Sequence, residues 1–314
     1  MDRRNFIKLS LGTVASGMLL SCQDTSALDD LEAGEMPTRS LGRTGHEVSL
    51  FSLGGEATIE QEHRQEEAVE IINRALDLGV NYIDTAPSYG NGGSESNIGQ
   101  VMRERREEVF LATKTHDRSY AGTMELFEQS LERLQTDYLD LYQLHNIRVD
   151  RDLDRALSSN GAIEAMEELK SQGLIKNIGI TGHRDPQVLL RGIEEYDFDC
   201  ILMALNAGDI HYRPFQEQLL EKAVAREMGI IAMKVVAAGR IIRSEGITSM
   251  EQALGYSLSF PVSTAIVGIS NLRELEENVQ IAKEFSKYPE QQLAEIEELT
   301  ASYEREANFF KYYW

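Results

Sequence analysis

Val80-Asn81-Tyr82-Ile83-Asp84, Val109-Phe110-Leu111-Ala112-Thr113-Lys114 and Leu139-Asp140-Leu141-Tyr142-Gln143-Leu144-His145 are three apolar runs, and each closes on an ionisable side chain. Short runs of this kind, bounded by polar residues, read as strands buried on both faces. In a parallel α/β barrel the reacting groups come from the carboxyl ends of different strands, so a polar residue closing each run is the expected pattern. Working outward, further strand-like runs fall near 50–53, 176–181, 200–204, 230–235 and 265–268, eight in all after an amino-terminal hairpin. Helical periodicity lies between them over Gln65–Leu78, Thr123–Leu134, Ala162–Gln172, Phe215–Met228 and Met250–Ser259. Eight βα units in 314 residues predict a (β/α)8 barrel with an amino-terminal β-hairpin. Gly79, Gly173 and Gly229 each follow a helical run by one residue, the place of a left-handed cap.

The closing residues make chemical sense together once Tyr89, in the loop after the first quoted run, is added. A phenol titrates near ~10, too high for an efficient acid at neutral pH, and an adjacent ammonium lowers that value. Lys114 would supply the charge, Asp84 would keep the lysine charged and oriented, and His145 would hydrogen-bond a substrate oxygen or relay the proton. Each residue alone has a plainer reading as a turn, cap or strand-end residue. The four in one pattern predict a proton-donating site built around a phenol, and such a site needs a hydride donor.

At this point the chain resembles the aldo-keto reductase superfamily, in a divergent bacterial form. The likeness rests on Arg39-Ser40-Leu41-Gly42-Arg43-Thr44-Gly45, on Asn81 to Gly90, on Ala112-Thr113-Lys114 and on Asp137 to His145. It continues through Gly173 to Thr181, Asn206, and Ala265 to Asn278. The resemblance implies hydride transfer between a nicotinamide cofactor and a carbonyl or alcohol, sugars among the candidates, with Tyr89 as general acid and base. It favours NADP(H) over NAD(H).

The resemblance also assigns a cofactor site. Thr181, with His183 next to it, stands where many members hold the carboxamide, and Asn206 matches. Lys234 follows Met233, which replaces a stacking tyrosine, while Gly239 and Arg240 follow the seventh barrel strand, where Arg240 would clamp the pyrophosphate. Gly268 and Ser270 lead into a helix from Leu272 to Ala282 whose first N–H groups can receive a phosphate. Arg273 would face that phosphate, and Glu277 and Asn278 the adenine. Glu274 occupies the position at which many members carry an arginine.

Fifty-two Asp and Glu against 31 Lys and Arg give a formal net charge of −21, which argues against nucleic acid or an anionic membrane surface as partner. The substrate expected is a small carbonyl compound or alcohol; the oligomeric state stays open. Residues 1–22 read as an export signal: Arg3-Arg4 precede Phe6-Ile7, a short apolar run follows, and Leu19-Leu20-Ser21-Cys22 is similar to a bacterial lipobox. The expectation is twin-arginine export, acylation of Cys22 as a lipid anchor in the bacterial cell envelope on the periplasmic side, an acidic tether over 23–36 and a single barrel domain over 37–314. Free dinucleotides are expected to be scarce there, so the cofactor would be carried out already bound and regenerated in place. Cys200, the other cysteine, sits in an apolar run as a small buried hydrophobe, and no metal-ligand spacing occurs.

Two other readings compete. A non-catalytic nicotinamide-binding sensor or scaffold would suit the altered carboxamide and stacking positions. A barrel glycosidase needs two carboxylates flanking a sugar, and the strand ends, as read here, offer only Asp84. Five of the last six residues are aromatic, either lining a substrate pocket or packing against the barrel.

Overall fold

A computed structural model of the chain describes residues 35–313. The export signal, Cys22, residues 23–34 of the tether and Trp314 lie outside the described residues. The described residues form one compact unit. Eight parallel strands close a barrel: β3 (Phe51–Ala57), β4 (Tyr82–Asp84), β5 (Phe110–Thr115), β6 (Leu139–Leu144), β7 (Ile175–Gly182), β8 (Cys200–Ala204), β9 (Gly229–Met233) and β10 (Thr264–Ile269), with β10 pairing β3. Before it, β1 (Thr38–Ser40) and β2 (Glu47–Ser49) form the antiparallel hairpin.

The strands are mostly apolar because helices cover their outer faces while side chains fill the interior; all six residues of β5 and of β6 are buried. The first helix, Gln65–Asp77, shows the complementary pattern. It buries Ala68, Ile71, Ile72, Ala75 and Leu76, the spacing of one helical face. Inside the barrel, Leu41 and Val48 of the hairpin join Tyr82, Phe110, Leu141 and Leu202 in one cluster. The hairpin thus closes one end and leaves the carboxyl ends of the strands as the open mouth.

Gly79 and Gly173 take left-handed φ values of +91° and +75° after their helices, as expected. Gly229 does not. The helix expected over Phe215–Met228 runs only from Gln218 to Ala225, Glu227 takes the left-handed turn, and Gly229 opens β9. Its glycine identity has another cause: a Cβ there would lie 2.8 Å from both Cys200 Sγ and Leu41 Cδ1. Cys200 is fully buried, and burial pushes its thiol pKa up.

The first barrel strand runs past its expected end. Between Gly54, paired with Gly268, and Ala57, paired with Ile269, β3 carries two extra residues, Gly55 and Glu56. Bulges of this kind re-aim side chains at barrel rims. Here Glu56 is brought to the mouth, so Asp84 is not the only strand-end carboxylate.

The carboxyl-terminal segment is a clasp across the loops that follow β8 and β9. Lys311 and Asp209 form an ion pair with no exposed side-chain surface, and Lys311 Nζ also donates to the carbonyls of Tyr212 (2.6 Å) and Arg213 (3.1 Å). Asn308 Nδ2 donates to Gly208 O at 2.6 Å. The Tyr303 hydroxyl bridges Ile241 O and the Ile247 N–H, both at 3.1 Å. Phe309 and Phe310 are buried, and Tyr312 stacks on Tyr212 with centroids 4.4 Å apart. Among the described residues, the packing role fits the aromatic tail. No helix among the described residues is long and apolar enough to cross a membrane.

Candidate active site

Asp84 ends β4, Lys114 is the penultimate residue of β5, and His145 follows β6 directly, so consecutive parallel strands deliver all three to one mouth. Tyr89 reaches them from the short turn Tyr89–Gly92, which folds back because Gly90 and Asn91 adopt left-handed conformations. Lys114 Nζ is ion-paired to Asp84, donates to Thr85 O at 2.7 Å and lies 3.3 Å from the Tyr89 hydroxyl. Lys114 and Asp84 are buried. The rings of Tyr89 and His145 meet edge-on, 5.8 Å between centroids. The structure therefore brings together all four residues expected to form the proton-donating site.

Gln143, which sequence reasoning did not single out, completes the floor by donating to Asp84 Oδ2 at 2.9 Å. Its signal was present: Leu141, Gln143 and His145 alternate along one strand, so an amide two residues before an inward histidine also points inward.

Electrostatics partly reverse one expectation. Burial, followed by the charges of Asp84, Glu56 and Glu60, holds the Tyr89 phenol well above its usual value. Burial, reinforced by the three carboxylates around the mouth, outweighs the nearby Lys114. The phenol is therefore protonated across the neutral range, as a proton donor must be. Burial also pushes the Asp84 carboxyl up, opposed by Lys114 and by the Gln143 hydrogen bond. His145 is held well below the ordinary imidazole range by burial and then by Lys114, and burial and Lys234 lower His183 to about 3. Both imidazoles are neutral at pH 7.

Two cavities meet at Tyr89. The smaller, about 170 Å³, is walled by Lys114, His145, Asn146, Thr181 and His183. The larger is a groove of about 610 Å³ that runs from Tyr89 past Gly239 and Gly268 to Ser270, Glu277 and Asn278. Glu56, Tyr89, Met233 and Lys234 line both. The groove's glycine positions, Gly239 and Gly268, leave its wall open to close approach, which fits an extended ligand.

Of the residues expected at a cofactor, Thr181, His183, Lys234, Gly239, Gly268, Ser270, Glu277 and Asn278 line one of these cavities. Thr181 Oγ1 accepts the Asn146 N–H at 2.8 Å, and Phe310 packs edge-on against His183. Three other residues point elsewhere. Asn206 is buried, with Nδ2 donating to Lys234 O at 3.0 Å, so it shapes the loop after β9. Arg240 lies over the Phe309 ring, 4.1 Å from its centroid. Arg273 is 87% exposed and ion-paired to Glu277 at 2.7 Å. Glu274 lines the groove and accepts the Ser270 N–H at 2.8 Å.

The model of the Aldo/keto reductase family matches residues 50–242. The chain belongs to that family. Among similar proteins, the oxidoreductase YqkF of Bacillus subtilis (strain 168) is 29% identical over 293 residues, which cover 79% of this chain and 91% of that protein. L-galactose dehydrogenase of Arabidopsis thaliana is 28% identical over 298 residues, covering 82% of this chain and 92% of that one. An aldo-keto reductase from Bacillus halodurans, solved in a holo form, superposes with a TM-score of 0.72 at 28% identity and covers 84% of this chain and 96% of its own. The candidate site sits at the carboxyl ends of the strands, where (β/α)8 barrel enzymes place their active sites.

Proposed function

We propose that this protein is a nicotinamide-dependent oxidoreductase that interconverts a small carbonyl compound and its alcohol, with Tyr89 as the proton donor and acceptor. The observation that carries the reading is the Tyr89 hydroxyl, 3.3 Å from a buried lysine and placed where a long groove meets a small polar pocket. A dinucleotide bound in the groove would supply hydride. Lys234, Gly239, Gly268 and Ser270 would hold it, and Glu277 and Asn278 would meet its adenosine end. NADP(H) ahead of NAD(H) follows from the family resemblance.

This chain's own residues do the rest. His145 and His183, neutral and on the pocket wall, orient the carbonyl oxygen toward the Tyr89 hydroxyl. Tyr89 gives its proton as negative charge develops on that oxygen, and Lys114, 3.3 Å away, stabilises the phenolate left behind. Asp84, held by Gln143, keeps the lysine in place. The reverse direction oxidises an alcohol through the same groups. The small pocket and the sugar-oxidising relative support a hydroxylated substrate of few carbons. A non-catalytic sensor would have no use for a buried lysine aimed at a phenol.

Export and a lipid anchor at Cys22 belong to the same proposal, with the dinucleotide carried out bound. Protein purified from its native envelope is denatured, and the released nicotinamide is identified. The native protein is then screened against sugars and small carbonyl compounds. Turnover linked to dinucleotide oxidation or reduction supports the reading; no binding and no turnover across the panel sinks it.

A further inference from the structure

Backbone, side chain and cavity wall all single out Lys234. Its φ of +60° lies in the left-handed region, which a residue with a Cβ adopts only against steric resistance. Two hydrogen bonds to its carbonyl hold it there, from Asn206 Nδ2 at 3.0 Å and from the Ala237 N–H at 2.9 Å. The side chain reaches Glu56, with Nζ 3.5 Å from Oε2. The lysine side chain is 11% exposed and the glutamate 43%, so the cation is enclosed and its partner has room to move.

The charge around them is one-sided. Among the described residues lining the groove, Lys234 is the single cation, against Glu56, Glu60, Glu274 and Glu277. Arg240 is stacked on Phe309, and Arg273 is turned to solvent on Glu277. A diphosphate entering the groove therefore meets one enclosed positive charge, and a carboxylate already holds it.

We propose that Glu56 is an internal counter-ion that the diphosphate of a dinucleotide displaces from Lys234. The inference rests on the dinucleotide reading above and adds a residue with a defined part in it. Glu56 sits on the two-residue bulge of β3 and is the more exposed partner; Lys234 is the enclosed one, its backbone held through its carbonyl. Before binding, Glu56 supplies counter-charge to this enclosed cation. Binding exchanges one anion for another, so affinity is the difference between two pairings. Glu56 is thus a positioning residue that sets how tightly the dinucleotide is held.

Binding can be read without turnover, from the fluorescence of NADH or NADPH titrated with protein. Glu56→Gln should lower Kd by about three- to tenfold, and Lys234→Met should raise it by about tenfold or more. The gain from Glu56→Gln should shrink when Lys234→Met is also present, because no pair is left to break. Equal gains in both backgrounds would reduce Glu56 to general repulsion and overturn the exchange. An unchanged or weakened Kd for the Glu56→Gln protein, with normal binding by the wild type, would overturn it too. Failure of the wild type to bind either dinucleotide would overturn the dinucleotide reading and this inference with it.

Discussion

Lys114 touches three acceptors at the floor of the mouth, and one of them, Asp84, has no exposed surface. Removing the ammonium would leave that carboxylate buried with only Gln143 as a partner. Breaking a buried pair from one side costs roughly 3–5 kcal/mol. Lys114→Met should therefore lose about that much stability in urea denaturation, and adding Asp84→Asn should restore most of it. A single variant within about 1 kcal/mol of wild type would show that the pair does not hold the floor. His183 carries a pH prediction. Its folded imidazole titrates at about 3, while an unfolded one titrates near ~6.5. Between those values the unfolded chain binds the extra proton, so stability falls as pH drops through the window. From pH 7 to pH 5 the wild type should lose about 2 kcal/mol more than a His183→Gln variant; equal losses would mean that the histidine is not buried neutral. The tetrad was readable in sequence because each member closes an apolar run or follows one. Glu56 was not, since Gly54-Gly55 beside it reads as the end of a strand. Only the pairing with β10 reveals the bulge that turns it inward.

At the level of elements, the turn Tyr89–Gly92 decides where the phenol points. Gly90 has φ +55°, and a Cβ on it would lie 1.9 Å from Glu60 O. Gly90→Ala should displace the turn and with it Tyr89, at a cost of at least about 1–3 kcal/mol. Turnover should fall at least about tenfold while the circular dichroism of the barrel is retained; near-normal turnover would mean that the turn adjusts without moving the phenol. Alternating apolar runs and helical faces made the eight strands legible. What escaped were features set by tertiary contact. Gly229 reads as a cap from its place after a helical run, yet it is a glycine because Leu41 and Cys200 crowd it. Lys311, a lone cation in an aromatic tail, is caged by Asp209 and the carbonyls of the loop after β8. Neither contact leaves a local periodicity to find.

For the whole molecule, a net charge of −21 sets the background against which a dinucleotide must bind, and the groove repeats it locally. An acidic protein has no electrostatic hold on an anionic membrane, so the proposed attachment depends on the lipid alone. Cys22→Ser should move the exported protein from the membrane to the soluble envelope fraction; retention in the membrane would point to another anchor. The central claim is that Tyr89 donates the proton, and turnover of an identified substrate by Tyr89→Phe tests it most directly, alongside the Kd for reduced dinucleotide. The expected result is a fall in turnover of about 10²–10⁴-fold with Kd little changed, because the ring stays and only the donor is lost. Near-normal turnover by the phenylalanine variant would contradict it.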